Sequence, residues 1–271
     1  VWVERPAVSR PPRPNSPVRV WRPELARAAA LAQTPEQFDI LTAIDGFLLR
    51  EGNARPLVPH RERSIELFGN EKRLDALIKT RLFTSGALTL PLLRCYEAPL
   101  PLTAQHTGDP GPEPVLLIVE NSATYASALR VARERAASGE RAVAVGYGSG
   151  NHLPRTIAGA HQLDPVPVHI RYFGDVDEGG LNTAVATAAA AAEAGLPSVL
   201  PAISLYEALF THGTRQLGVS KVPSDRSLRL AAAWFGSSRL ASEATKVLEA
   251  GRRIAQEDVG YERLRSLSTW M

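Results

Sequence analysis

A mixed α/β fold, with a mainly parallel sheet flanked by helices and a smaller, mostly helical domain ahead of it, is what the sequence predicts on three observations. From Val115 onward, short apolar runs alternate with helical segments, a pattern that pairs strands in parallel through helical crossovers and puts helices on both faces. Upstream, the chain carries helix start and stop signals instead. Between these regions Gly108-Asp109-Pro110-Gly111-Pro112 breaks any regular element and marks a domain boundary. The expected organisation is a Pro- and Arg-rich arm or linker over 1–33, a helical domain over 34–112, and the α/β domain with carboxy-terminal helices over 113–271.

Composition narrows the function classes. The 271 residues are 44% apolar, enough to bury a core and too apolar for a disordered chain. The single cysteine, Cys95, excludes an internal disulfide framework and a cysteine-built zinc centre, and it fits a reducing compartment. The sequence has no uninterrupted apolar run of about 18 residues and no signal-peptide pattern, so a soluble, cytoplasmic protein with no membrane partner is expected. A net charge of +3 is too small to argue for nucleic acid by itself. Residues 1–112 hold 15 Lys and Arg against 12 Asp and Glu, whereas 113–271 hold 16 of each, so the basic excess lies outside the acidic cluster described below. The chain begins at Val1, and a missing upstream segment is expected.

Residues 1–23 are dense in Pro and Arg, with one apolar run at 18–21, and read as an extended arm. Thr34-Pro35-Glu36-Gln37 combines a capping threonine, a proline at the first helical position and a glutamine that completes a capping box. Phe38, Leu41, Ile44 and Leu48 then share a face, predicting a helix over 35–50 that Glu51-Gly52-Asn53 ends. Gly69 fits the stop of a second helix, and Asn70 the start of a third whose Leu74, Leu77 and Ile78 face inward. With the alternating, turn-like stretch 82–93, two short helices at an angle suit a winged-helix-type domain. The charges of this region form, on composition alone, a solvated helical face.

In the second half, Val115-Leu116-Leu117-Ile118-Val119 reads as a buried strand ending at Glu120, followed by a helix over 123–137. A second strand spans 141–145 and runs into Gly146-Tyr147-Gly148-Ser149-Gly150-Asn151. A third spans 168–173, a helix 181–194, and a shorter strand 198–201. From about Ile203 the chain reads as helical, with amphipathic stretches around 227–233 and 241–255, and it contains no internal repeat. Ligands of such sheets sit at the carboxyl ends of the strands, where Glu120, 146–150 and 175–178 all fall.

The third strand end is the densest in chemistry. Asp175, Asp177 and Glu178 crowd into four positions after Gly174. Acids at i and i+2 on an extended end point the same way and could share one hard cation; like charges this close are costly unless a cation or a proton neutralises them. Glu120, Asp175 and Asp177 together suit magnesium or manganese, which activates water and neutralises phosphate. The alternatives are that Glu120 caps the helix after it and that the aspartates form a turn. Glu178 either extends the metal site, acts as a general base or faces solvent. Gly179-Gly180 either opens an anion-binding helix terminus or makes a plain turn. The 146–150 run lacks the sixth-position glycine of a dinucleotide loop, and the six histidines show no metal-ligand spacing, so each reads as structural.

Val119-Glu120-Asn121, the glycine-rich second strand end and Tyr172-Phe173-Gly174-Asp175-Val176-Asp177 together resemble a Toprim domain, the magnesium-binding fold of topoisomerases, primases and certain nucleases. Combined with the stretch from Arg61-Glu62-Arg63-Ser64 to Arg73-Leu74-Asp75, the chain resembles JetD, the nuclease subunit of the Wadjet anti-plasmid defence system, itself similar to the topoisomerase VI A subunit. The resemblance covers roughly residues 22–258, including Gln256-Glu257. It implies a winged-helix-type domain followed by Toprim, a homodimer, cleavage of double-stranded DNA dependent on Mg2+ or Mn2+, and work alongside an SMC-like motor complex. Glu120 would be the Toprim glutamate, Asp175 and Asp177 the paired metal aspartates, with Glu178 beside them. Arg61, Arg63, Lys72 and Arg73 would hold the duplex, or Arg61 and Arg63 instead pair with Glu62, Glu66 or Glu71 inside the fold.

Two departures from the family stand out. Its amino-terminal arm domain is absent or reduced to 1–33, and Glu178-Gly179-Gly180 stands where the family more often has Thr-His-Gly. Topoisomerase chemistry needs a nucleophilic tyrosine, and Tyr96, the one tyrosine before Glu120, reads as packed, so hydrolysis by metal-activated water is expected. The rival readings are an Asp-x-Asp phosphatase, disfavoured because its pair belongs on a first strand, and a catalytically silent Toprim module for DNA binding or assembly.

Overall fold

Local start and stop signals mark two helices of the amino-terminal part. A computed structural model describes residues 19–50, 54–218, 225–236 and 238–270, and its chain divides into two compact units, Val1–Ala98 and Pro99–Met271. The first contains α1 (Pro23–Leu31), α2 (Pro35–Leu49), β1 (Val58–Pro59), α3 (His60–Phe68), α4 (Arg73–Leu77), α5 (Arg81–Thr84) and β2 (Cys95–Tyr96). Thr34 and Gln37 form the expected capping box, each side chain accepting the other residue's amide proton at 3.2 Å. Gly69 ends α3 with φ +66°, a left-handed geometry that favours glycine, and its amide bonds to the Ile65 carbonyl at 2.8 Å.

Several boundaries differ from expectation. Part of the 1–33 arm is the helix α1, whose Leu25 and Ala28 are fully buried beside Leu41, Ile44 and Leu74; burial of that face gives the segment a reason to be helical that proline and arginine counts conceal. The arm's first 18 residues, and the helix stop at 51–53, lie outside the described residues. The stretch 82–93 forms α5, turns and a 3-10 turn at Pro91–Leu93, and β1 pairs with β2 in parallel, so among the described residues this unit has no antiparallel wing hairpin.

The second unit runs β3 (Ala104–His106), β4 (Val115–Val119), α6 (Ser122–Ala137), β5 (Ala144–Tyr147), α7 (Leu153–Thr156), β6 (His169–Phe173), α8 (Glu178–Glu193), β7 (Val199–Pro201), α9 (Ile203–His212), β8 (Gln216–Leu217), α10 (Asp225–Phe235), α11 (Arg239–Glu249), β9 (Arg252–Arg253) and α12 (Tyr261–Ser266). Its five-stranded sheet has the order β3-β5-β4-β6-β7, parallel except for β3, so the fold is mixed α/β around a mostly parallel sheet. All five residues of β4 are buried, which matches their unbroken apolar run.

The unit boundary falls before the Gly108–Pro112 break because β3 lies ahead of that break and pairs with β5, Gln105 opposite Val145. Strand β5 starts at Ala144 instead of 141, in register with Leu116 of β4, which leaves the Arg141 side chain at the surface. Helix α8 starts at Glu178, earlier than expected, because Asp177 caps it. The amphipathic stretch expected over 241–255 ends as α11 at Glu249; Gly251 takes a left-handed φ of +63° and the chain returns as β9, antiparallel to β8. No helix among the described residues is long and apolar enough to cross a membrane.

Candidate active site

Parallel pairing of β4 with β6 puts Val119 opposite Phe173, so Glu120 and Asp175 leave the sheet at the same end. The pairing continues one step past β4, the Glu120 amide donating to the Phe173 carbonyl at 3.1 Å. The Glu120 carboxylate is held twice: the buried Tyr172 hydroxyl donates to Oε2 at 2.7 Å, and the Asp175 backbone amide donates to the same group. Gly174 makes this possible, since a Cβ there would run into both the Glu120 carboxylate and the Tyr172 hydroxyl. The Gly174 amide donates to the buried Tyr206 hydroxyl at 3.0 Å.

Asp175 Oδ1 accepts the backbone amide of Gln256 at 2.8 Å and, more weakly, the Asn121 side-chain amide at 3.4 Å. Val176 is buried and bridges Ile254, through bonds of 2.9 and 3.2 Å. Asp177 Oδ1 caps α8 by accepting the Gly180 amide at 2.8 Å, and Oδ2 lies 3.8 Å from the Arg253 guanidinium. Glu178 occupies the exposed first turn of α8.

The electrostatics separate these acids. Burial raises the pKa of Glu120 most; Asp175 and Asp177 raise it further, against the bonds from Tyr172 and the Asp175 amide. Burial likewise raises Asp175, with Asp177 and Glu257 adding to the shift, against the Gln256 amide and Arg253. The structure therefore brings Glu120 and Asp175 together as partly desolvated carboxylates. Asp177 stands beside them but is occupied by its cap and by Arg253, and no group of three or more His, Cys, Asp or Glu is arranged among the described residues to hold a metal ion.

The alternative that Glu120 caps the following helix does not hold: Asn121 is the N-cap residue of α6, and Glu120 faces Tyr172. For Asp177 the helix-start reading holds. The glycine loop touches the site through the Gly148 amide, which donates to the Val119 carbonyl at 2.8 Å; His152 is exposed. Arg253, Gln256 and Glu257, the last accepting the Asn121 side-chain amide at 2.9 Å, are members that local sequence patterns do not assign to the site. They arrive from more than 70 residues downstream, and no periodicity in their own segment points back to β4 or β6.

Of the residues considered for DNA contact, three are engaged within the first unit. Arg61 pairs with Asp75 at 3.0 Å, Arg73 with Glu36, and Arg63 with Glu66. Arg63 is 2% exposed, donates to the Pro56 carbonyl at 2.9 Å and lies 4.7 Å over the Phe47 ring. It is an internal strut, the pairing alternative realised with Glu66. Lys72 is exposed. Tyr96 is 41% exposed, against the expectation that it packs.

Two predictions follow from these environments. Arg63→Ala should lower the stability of the chain by roughly 1–3 kcal/mol, as expected when a buried charged donor is removed from its carbonyl acceptors and a half-exposed Glu66, whereas Lys72→Ala should leave it within about 0.5 kcal/mol; urea denaturation measures both. A carboxylate whose folded pKa is raised above its unfolded value binds more protons when folded, so it costs stability as pH rises through the unfolded pKa toward the folded one. In EDTA at neutral pH, Glu120→Gln and Asp175→Asn should therefore melt at higher temperature than the wild type, and the difference should vanish below the ordinary carboxylate range.

No protein-family model, curated protein or solved structure matches this chain.

Proposed function

We propose that this chain is a divalent-metal-dependent DNA endonuclease subunit that hydrolyses phosphodiesters at Glu120, Asp175 and Asp177, on a Toprim-type sheet. The observation that carries the reading is the meeting of Glu120 and Asp175 at the carboxyl ends of adjacent parallel strands, both with pKa values raised by burial and by neighbouring acids, Asp175 and Asp177 for the first and Asp177 and Glu257 for the second. Acids in that state are stabilised by a nearby cation, and a donor set made only of oxygens with excess negative charge suits Mg2+ or Mn2+ in kind. Glu120 and Asp175 would hold the ion, with Asp177 as third donor and Glu178 as an adjoining ligand or general base. A bound divalent cation lowers the pKa of an attacking water and neutralises phosphate charge.

The chain's own residues supply orientation and charge. Tyr172 and the Asp175 amide fix the Glu120 carboxylate, and Arg253 places a positive charge at the edge of the acid cluster, where a phosphate would approach. The resemblance to JetD extends the reading to double-stranded DNA as substrate, a homodimer, an SMC-like motor complex as partner and a role in anti-plasmid defence. A silent binding or assembly module is the second reading, favoured by the occupation of Asp177 with its cap and Arg253. The exposure of Tyr96 keeps a topoisomerase VI A-like cleavage as the third.

Supercoiled plasmid incubated with Mg2+ or Mn2+ distinguishes them, with circular dichroism to check folding. The expected result is nicking or linearisation by the wild type and by Tyr96→Phe, and none by Glu120→Gln or Asp175→Asn. Loss in Tyr96→Phe, with protein covalently attached to DNA in the wild type, would replace hydrolysis by tyrosyl chemistry. Metal-independent DNA binding without any cutting would support the silent module.

A further inference from the structure

Gln256 is completely buried, and every polar atom of its side chain is spent on the two strand ends that carry the acids. Its Oε1 accepts the Asn121 amide at 2.5 Å, and Asn121 directly follows Glu120. Its Nε2 donates to the Phe173 carbonyl at 3.0 Å, two residues before Asp175. That carbonyl already accepts the Glu120 amide, so Gln256 fills its second lone pair. The Gln256 backbone amide donates to Asp175 Oδ1 at 2.8 Å. One residue thus ties the end of β4 to the end of β6 where their own pairing stops, and occupies a chosen oxygen of Asp175.

A primary amide is the group this position needs, because it accepts at one end and donates at the other. Glutamate would set a carboxylate oxygen against the Phe173 carbonyl, asparagine is one methylene short, and methionine fills the volume with no polar atom to offer either strand. We propose that Gln256 is a positioning residue: it fixes the separation of Glu120 and Asp175 and the Asp175 oxygen left to face a single divalent cation. It acts through Asn121 and Asp175 and touches no substrate. The inference rests on the divalent-metal reading of the site.

The test compares wild type, Gln256→Met and Gln256→Asn in three measurements: folding by circular dichroism, Mn2+ binding by calorimetry, and DNA affinity in EDTA. Methionine keeps the volume and the backbone bond to Asp175 but removes both side-chain bonds; asparagine keeps the polarity with too short a reach and serves if the methionine variant does not fold. The expected result is Mn2+ binding weakened by about 10- to 100-fold, as for loss of groups that orient metal ligands, with metal-free DNA affinity unchanged. Mn2+ affinity within about twofold of wild type in a folded variant, or an equal loss of metal and DNA binding, would overturn the positioning role. A wild-type chain that shows no Mn2+ binding would instead overturn the metal reading itself, and this inference with it.

Discussion

The parallel pairing of β4 with β6 is the constraint from which the site follows. Once Val119 stands opposite Phe173, Glu120 and the 174–177 turn have to leave the sheet together, and two carboxylates are forced into one partly desolvated space. Such proximity is unfavourable for the folded chain, because burial and like charge both penalise ionisation. Gly174 keeps the arrangement sterically open, and Tyr172, the Asp175 amide, Asn121 and the Gln256 amide each give a hydrogen bond to a carboxylate that would otherwise be under-solvated.

What lies beneath the acids offsets that cost. Tyr172 packs edge-on against Trp234 at 5.7 Å, Phe173 against Tyr206 at 5.1 Å and Tyr206 against Phe235 at 4.9 Å, so the residues flanking Gly174 are anchored in an aromatic cluster shared by β6, α9 and α10. The two tyrosines belong to both layers: their rings join the core and their hydroxyls reach up to the Glu120 carboxylate and the Gly174 amide. A rigid apolar base under a charged rim is how a fold keeps like charges together against their repulsion.

Elements with their own local signal were legible in the sequence. Thr34 and Gln37 announce α2, the unbroken run of β4 announces a strand buried on both faces, and Gly69 announces the end of α3. What escaped depends on partners distant in the chain. Strand β3 is three residues long, with an intermediate-exposed residue and two exposed ones, and is defined only by pairing with β5. The acidic partners of Arg61 and Arg73 sit 14 and 37 positions away, so composition could not tell free surface charges from ones paired across the surface. Glu120 and Asp175 were visible because each ends a strand; Gln256 and Arg253 were not, because their segment meets the site through contacts distant in sequence, among them the Val176 to Ile254 bridge.

The Asp-x-Asp spacing shows where a rule for extended chain stops applying. On a strand, residues two apart point the same way, and Asp175 and Asp177 do flank an inward-facing, buried Val176. The chain turns helical directly after Asp177, however, and four unbonded amide groups at the new helix start compete for that carboxylate. Asp177 yields one oxygen to Gly180 and turns the other toward Arg253, so its charge is shared between a helix end and a guanidinium. Counting acids along the sequence therefore overstates the negative charge left uncompensated between the strands, because Asp177 is paired and burial opposes the ionisation of Glu120 and Asp175. The distribution of charge follows from where a helix begins, a property of backbone hydrogen bonding that acts on the site as directly as the identity of its acids.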